Sequence, residues 1–319
     1  MGSEMCIRDR HDTVYDYQPA VETAQHTAHL QPRETTLQRV LGFALQITPA
    51  PDSLHHAQDA FGNPQAWWTL SQAHTRLHVV ARSEVQTAPP LALQASQPWE
   101  AVREHFRYRS GQPGDAQTCF VFGSHHAPLH EHFAAYARSC FSPGRPLQEA
   151  ATELMQRIHR EFTYASQSTD VHTPALQALQ ARRGVCQDFA HILVACLRSL
   201  GLAARYVSGY LLTQPPEGQE RLIGADASHA WASVYVPELA GSACGGWLDL
   251  DPTNDRWGWG TPGEDYVLVA WGRDFSDVSP LRGVLQGGTS HTLHVGVSVL
   301  PEADAPDLQA HALDRPPEP

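Results

Sequence analysis

The order of hydrophobic patterns across residues 147–300 constrains the fold more than any other feature of the sequence. Apolar residues first recur at helical spacing, at Leu147, Ala151, Leu154, Ile158 and Phe162. Strand-like runs then follow, at 203–212, 228–236, 246–251, 267–271 and 292–300. Helices followed by a run of strands predict an α+β fold, with helices packed on an antiparallel sheet, and argue against a doubly wound sheet.

Two shorter helices are predicted between the long helix and the strands. Thr173 and Pro174 are typical of a helix start, and this second helix is expected to end at Gly184. The third helix is predicted from Cys186 to the natural C-cap Gly201. Its expected buried face comprises Phe189, Leu193, Cys196, Leu197 and Leu200.

The remaining segments divide by composition. Residues 11–90 carry short alternating strand patterns, which predict a small antiparallel β domain, and the proline-punctuated residues 91–146 are expected to connect it to a core at 147–300. Residues 1–10 resemble a translated sequencing adapter or an added leader, so we expect them to be non-native and outside the fold. Residues 301–319, rich in proline and acidic residues, are expected to be a disordered tail.

Charge and residue usage exclude several function classes. The formal net charge of −12 repels phosphate backbones and argues against nucleic acid as a partner. All 22 basic residues are arginine, which rules out a P-loop lysine, a Schiff-base lysine and a Ser-Lys nucleophile pair. No GxGxxG sequence or calcium-loop signature occurs, so no cofactor is expected.

The cysteines and apolar runs predict a soluble cytoplasmic protein. Six cysteines without a CxxC pair are too sparse for a disulfide scaffold and suit reduced thiols. No apolar segment follows Arg8 and Arg10, so no secretory signal is expected. The longest apolar stretch, 192–212, is broken by Arg198 and Arg205, which predicts a buried helix and strand rather than a membrane span.

The 19 histidines raise the question of a metal site. No HExxH sequence occurs, and the pairs His125-His126 and His130-Glu131-His132 lie in the proline-punctuated connector. A solvated histidine cluster explains them better than metal binding, so no metal is expected.

Cys186 is the candidate nucleophile, because the start of a helix favours the reactive thiolate and offers free N–H groups to an oxyanion. A thiolate nucleophile needs a base, and the base needs an orienting acceptor. His229 lies on a predicted strand, and Asp251 ends the next one. Asp249 shares a strand face with Asp251 and is a competing candidate for the acceptor.

Each of these residues has an ordinary structural explanation by itself. A single cysteine is usually structural, a strand histidine is often half-buried, and an aspartate before proline commonly starts a turn. Only the conjunction of chain order, element type and local sequence favours catalysis. Trp231, near His229 by strand alternation, is expected either to line the cleft or to pack in the core.

Three motifs carry a resemblance to a known family: GVCQDFAH at 184–191, SHAW at 228–231 and GWLDLDPT at 246–253. Together they resemble the bacterial transglutaminase-like superfamily. Further matching segments comprise His11, Tyr15, Tyr17, Pro32-Arg33 and 59–63 in the N-terminal region, and 269–275, 277–278 and 280–283 downstream. The resemblance thus extends over almost all of residues 11–300.

The resemblance implies a papain-like core with Cys186 as nucleophile, His229 as general base and acid, and Asp251 orienting the imidazole. It implies acyl transfer or hydrolysis at amide bonds of a protein or peptide substrate, through a thioester. Water would make the protein a peptidase or amidase, and an amine would make it a transglutaminase. The oxyanion donor is left open among the Gln187 and Tyr164 side chains and the Cys186 N–H. The alternative is a non-catalytic binding or scaffold module that retains the fold.

Overall fold

The protein folds as two antiparallel sheets with helices packed mainly against the second. The computed structural model describes residues 4–111, 114–165, 173–212, 228–288 and 290–302. One sheet has seven strands and the other five, and a two-stranded parallel pair lies apart from them. The predicted α+β class is confirmed. In the described part of the chain, no helix is both long and apolar enough to cross a membrane.

The elements follow the chain in this order. The strands are β1 (Met5–Ala28), β2 (Gln38–Thr48), β3 (Ser53–Gln58), β4 (Pro64–Leu70), β5 (His74–Thr87), β6 (Thr163–Tyr164), β7 (Arg183–Gly184), β8 (Ala204–Leu211), β9 (Ser228–Tyr235), β10 (Trp247–Asp251), β11 (Arg256–Trp259), β12 (Tyr266–Gly272), β13 (Leu281–Gly287) and β14 (Ser290–Pro301). The helices are α1 (Trp99–His105), α2 (Glu131–Arg138), α3 (Leu147–Glu161), α4 (Ala175–Ala181), α5 (Cys186–Ser199) and α6 (Phe275–Val278).

The long strand β1 organises the N-terminal sheet, whose path runs β2-β5-β1-β4-β3. Its first half pairs with β5 and β14, and its second half pairs with β4 and β13. The predicted core segment 147–300 therefore contains two strands that belong to the N-terminal sheet. The sequence could not indicate this, because strand pairing between distant segments is set by packing in three dimensions rather than by proximity in the chain.

Residues 5–10 belong to the fold, which corrects their exclusion from it. Ile7 is fully buried and pairs with Val85 of β5 and with Pro301 of β14. A strand that is paired on both sides and buried cannot be left out of the sheet. Residues 1–3 and residues 303–319 of the predicted tail lie outside the described residues. The non-native origin of residues 1–10 stays a prediction.

The connector 91–146 packs into the main hydrophobic core. Val102 of α1 and Phe133 of α2 are fully buried, and both join the core cluster that contains α3 and α5. Helices α1 and α2 of this segment therefore contribute to the same core as the longer helices that follow.

The five-stranded sheet, ordered β11-β10-β9-β8-β12, carries α5 on one face. Alternate residues of β9, Ala230, Ala232 and Val234, are buried in the core that α5 shares. The other alternate set, which begins at His229, lies on the opposite face. The first residue of α5 nevertheless lies beside the start of β9, with Sγ of Cys186 4.0 Å from the carbonyl oxygen of Ser228, and the candidate site is formed there.

Helix α4 begins and ends differently from the prediction. Its N-cap is Pro174, which supplies no side-chain cap, and its last residue, Ala181, is followed by the C-cap Arg182 in the left-handed conformation with φ of 52°. Gly184 instead belongs to β7, where a Cβ atom would lie 2.6 Å from a carboxylate oxygen of Asp188. Glycine is therefore required at 184 by a close approach rather than by a helix end.

Two side-chain amides of the N-terminal region pair with the backbone of β12 as an additional strand would. Gln38 accepts from the N–H of Leu268 and donates to its carbonyl, both at 2.7 Å. Asn63 accepts from the N–H of Trp271 at 3.0 Å and donates to its carbonyl at 2.8 Å. We call these two residues the amide clamp; they occupy the outer edge of the sheet at β12.

The segment 59–63 holds one half of this clamp in place. The Asp59 carboxylate accepts from the backbone N–H groups of Phe61 and Asn63 and from the Asn63 side chain, at 2.7 to 2.9 Å. Gly62 has φ of +74°, a conformation that side chains disfavour. The segment 59–63 is thus a turn that places the side-chain amide of Asn63 against the backbone of β12.

Candidate active site

Cys186 is the first residue of α5 and is half-buried. The Asp188 carboxylate accepts from the N–H of Val185 at 2.8 Å and so closes the first turn of the helix. The Cys186 Sγ lies 4.0 Å from the carbonyl oxygen of Ser228, the first residue of β9. The helix start thus presents the thiol to the beginning of the strand that carries His229.

His229 lies between the thiol and a carboxylate. Its Nε2 is 2.7 Å from Oδ2 of Asp251, and Cys186 on the other side is near enough to raise the pKa of the ring. Because Nε2 faces Asp251, Nδ1 is the ring nitrogen left for the sulfur. Burial alone would lower the pKa of His229, but its bonds to Asp251 and Cys186 and their charges outweigh burial and raise the pKa to about 10.

Asp251 is fully buried and held by four donors. Oδ2 accepts from His229 Nε2, Asn254 Nδ2 and Tyr266 Oη, each at 2.7 Å, and Oδ1 accepts from the N–H of Thr253 at 2.9 Å. Burial favours the neutral acid, but these donors and the charge of His229 outweigh it and lower the pKa of Asp251. The carboxylate is therefore a fixed anion behind the imidazole.

The competing candidate, Asp249, has different partners. It accepts from Trp231 Nε1 at 2.9 Å and from Ser233 Oγ at 2.6 Å rather than from His229. Burial raises its pKa, against the opposing effects of Arg205, Ser233 and Trp231. The structure therefore brings Asp251, not Asp249, to the imidazole.

Trp231 packs in the core beside His229, while a role in lining the cleft stays a prediction. Its ring is almost fully buried and lies beside that of His229, with centroids 6.1 Å apart and planes 27° from parallel. It also packs in a small core cluster with Val207 and Leu268. Gly209 makes this possible, because a Cβ there would lie 2.7 Å from the indole and 2.1 Å from the carbonyl of Val267.

The two side chains that are candidate donors to an oxyanion, Gln187 and Tyr164, lie near the thiol. Gln187 is partly exposed in the first turn of α5. Tyr164 pairs with Gly184 through β6 and β7, and its ring is 53% exposed. Burial and the nearby Cys186 raise the pKa of Tyr164, so it stays a neutral donor. Which donor stabilises an oxyanion stays a prediction.

Asn254 and Tyr266 are site residues that the sequence reasoning missed. Asn254 follows Asp251 closely in the chain, and its Nδ2 also lies 3.3 Å from His229 Nε2, so the DPTN turn could have indicated it. Tyr266 begins an apolar strand, where an aromatic residue is typical of a core position. No sequence signal distinguishes it from such a residue.

Several polar residues outside this arrangement serve structural roles. Arg273 pairs with Asp277, with Nε and Oδ2 2.9 Å apart, while Asp274 caps α6 by accepting from the N–H of Ser276. The carboxylate of Asp274 thus bonds to the helix N-terminus rather than to the adjacent Arg273. His191 packs on Tyr206 and accepts from the N–H of Phe275.

Two family models match the chain. The model described as "Transglutaminase-like superfamily" matches residues 134–252. The model described as "Bacterial transglutaminase-like N-terminal region" matches residues 7–86. The first includes Cys186, His229 and Asp251, and the second covers most of β1 to β5.

One similar protein covers nearly the whole chain, and another covers a third of it. An uncharacterized protein of Mycobacterium tuberculosis (strain H37Rv) is 40% identical over 305 residues, which are 93% of this chain and 94% of the relative. A "Protein-glutamine gamma-glutamyltransferase" of Pseudomonas aeruginosa is 30% identical over 110 residues, 33% of this chain and 16% of that protein.

A solved structure supports the fold over the same length. It is a "Putative Cysteine Protease" from Cytophaga hutchinsonii, with a TM-score of 0.68 and 20% identity, covering 93% of this chain and 91% of that one. At this identity the likeness bears on the fold alone. The two family models and the long mycobacterial match show that the chain belongs to the transglutaminase-like superfamily.

Proposed function

We propose that the protein catalyses thiol-dependent acyl transfer or hydrolysis at amide bonds, through Cys186, His229 and Asp251. The observation that carries this proposal is the position of His229, bonded to Asp251 at 2.7 Å on one side and facing Cys186 on the other. A nucleophile, a base and an orienting group in this sequence are the elements of a catalytic triad.

The reaction proceeds in two steps. The Cys186 thiolate attacks the amide carbonyl carbon and forms a C–S bond, and the negative charge passes to the carbonyl oxygen. The C–N bond then breaks as the imidazolium of His229 gives its proton to the leaving nitrogen. Water or an amine attacks the resulting thioester, His229 takes up the proton of that nucleophile, and the thiolate leaves.

The electrostatics of His229 suit the first step. Its raised pKa, about 10, favours the imidazolium at neutral pH, which is the form that protonates a leaving amine. Asp251 holds the ring and stabilises its positive charge. The partial positive charge at the start of α5 stabilises the thiolate on the other side.

Three features bear on the substrate and on where the protein acts. The similarity to the Pseudomonas enzyme named for glutamine transfer supports a glutamine side chain or peptide amide as acyl donor. The chain has no lysine, so an amine acceptor would come from another molecule. All six cysteines are free, which supports a reducing cytoplasmic site of action.

Thiol labelling tests the proposal without a known substrate. The protein is treated with iodoacetamide at about pH 6, where ordinary thiols react slowly, and labelled cysteines are mapped by mass spectrometry. We expect Cys186 to react first, although Cys119 is more exposed. His229→Ala should remove this preference, while the exposed control His56→Ala should retain it.

The alternative is a scaffold module that binds partners without turnover. Labelling that follows exposure, with Cys119 ahead of Cys186 and no effect of His229→Ala, would favour that alternative. A second screen then uses glutamine-amide and peptide libraries, with and without a small primary amine. Product that requires the amine indicates a transglutaminase, product without it indicates a hydrolase, and Cys186→Ala should abolish both.

A further inference from the structure

We propose that Tyr266 is a positioning residue that weakens the hold of Asp251 on His229 and so helps the imidazolium release its proton. This inference rests on the proposed function, because it concerns the proton that His229 transfers there. Tyr266 lies 15 residues after Asp251 in the chain, on the edge strand β12, which is separated from β10 by β9 and β8.

The first observation is crowding at one carboxylate oxygen. Tyr266 Oη, His229 Nε2 and Asn254 Nδ2 all lie 2.7 Å from Oδ2 of Asp251. An oxygen of a carboxylate has two lone pairs, so three donors share the electron density available there. Each additional donor leaves less of it for the bond to His229.

The second observation is that the Tyr266 hydroxyl is held toward Asp251. The ring is 2% exposed, packs edge-on against Trp231 with centroids 5.4 Å apart, and lies under the Arg256 guanidinium at 4.8 Å. Arg256 is in turn paired with Asp265. Burial and the charge of Asp251 raise the pKa of Tyr266, so the hydroxyl keeps its proton and remains a donor.

The amide clamp fixes the strand that carries Tyr266. Gln38 bonds both backbone groups of Leu268, two residues along β12. A hydroxyl on a strand secured in this way cannot follow Asp251 if the carboxylate moves, so its donation also fixes the carboxylate. The N-terminal region is thereby connected to the site through one strand.

The groups around His229 determine whether Tyr266 strengthens or weakens the binding of the imidazolium proton. Cys186 on α5 and Asp251 on β10 both stabilise the imidazolium. Tyr266 on β12 and Asn254 donate to Asp251 and so oppose that stabilisation, and Arg256 beyond Tyr266 is paired with Asp265. Removal of the Tyr266 hydroxyl leaves a more basic carboxylate and therefore a more strongly held imidazolium.

The experiment measures the inactivation of Cys186 by iodoacetate as a function of pH. This anionic reagent reacts best with a thiolate beside an imidazolium, so the rate falls at alkaline pH when the imidazolium loses its proton. We call this fall in rate the alkaline limb of the pH profile. In Tyr266→Phe we expect the alkaline limb to occur about one pH unit higher than in the wild type. Tyr235→Phe, a buried tyrosine that packs on Trp247, should leave the limb unchanged.

A second substitution should move the alkaline limb in the opposite direction, and it keeps the test valid if Tyr266→Phe fails to fold. Replacement of Tyr266 by 3-fluorotyrosine keeps the shape of the side chain and makes the hydroxyl a stronger donor, so the limb should move downward. An unmoved limb in both variants, with thermal unfolding like the wild type, would overturn the role of Tyr266. If the wild type itself shows no limb that depends on His229, the proposed function fails instead.

Discussion

Asp249 and Asp251 lie two residues apart on the same face of β10, and neither has exposed surface. Four donors and a facing imidazolium lower the pKa of Asp251, whereas burial raises the pKa of Asp249. Oδ2 of Asp249 has no hydrogen-bond partner among the described residues. Equal burial thus gives opposite charge preferences, and the number of donors decides which carboxylate can serve a histidine.

The largest expected difference between the two carboxylates is in catalysis. Asp251→Ala should lower turnover of an amide substrate by about 10³-fold, because the imidazole loses its orienting acceptor. Asp249→Ala should lower it by less than about tenfold, since its partners are Trp231 and Ser233. Steady-state kinetics on a substrate from the amide screen measure both.

Asp251→Asn is the control for this pair of variants. The amide oxygen can still accept from Nε2 of His229, so this variant should recover part of the turnover that the alanine variant loses. Equal losses in Asp249→Ala and Asp251→Ala, or the reverse order, would contradict the assignment of Asp251.

A smaller difference is expected in stability when the environment of Asp249 is changed. Trp231→Phe removes the indole N–H that donates to Asp249 and should lower the free energy of unfolding by about 1–3 kcal/mol. Alkylation of Cys186 should change by less than about tenfold, because the bond between His229 and Asp251 remains. Urea denaturation and the labelling rate are measured on the same samples.

Trp257→Phe is the matched control, because this tryptophan is 40% exposed and should change stability by less than about 0.5 kcal/mol. If Trp231→Phe abolished Cys186 labelling while leaving stability intact, Trp231 would belong to the catalytic arrangement and not to the support of Asp249.

The smallest expected difference is in the pH dependence of stability. Because the pKa of Asp249 is raised in the folded protein, its ionisation lowers the free energy of unfolding as the pH rises above about 4. The free energy of unfolding of Asp249→Asn should therefore increase relative to that of the wild type over this range. Because the pKa of Asp251 is lowered in the folded protein, its carboxylate stabilises the fold above about pH 4, and this effect is lost as the pH falls. The loss of free energy of unfolding in Asp251→Asn, relative to the wild type, should therefore be smallest at acid pH. Urea denaturation across this range gives both slopes, and slopes of the same sign would contradict the comparison.

The positions of Cys186, His229 and Asp251 could be predicted because each is marked locally. A helix start, a strand start and a strand end are visible in the pattern of apolar residues, and the structure brings these three residues together. The pattern of apolar residues alone could not decide between Asp249 and Asp251, because strand alternation gives both carboxylates the same face.

The supporting residues could not be predicted, because their roles depend on strands that meet only in the fold. Tyr266 reaches Asp251 across the sheet from β12. Gln38 reaches Leu268 from a position 230 residues earlier in the chain. The pairing of β14 with β1 is equally remote in sequence. Single residues in apolar runs carry no local sign of such partners.

The amide clamp has a consequence for any attempt to isolate the core. Cutting the chain before α1 would remove Gln38 and Asn63 and leave the N–H and C=O groups of Leu268 and Trp271 without partners. Such a bare edge is a template for adding strands from other molecules. A fragment trimmed to its helices and second sheet should therefore self-associate, whereas the whole chain shields that border with its own side chains.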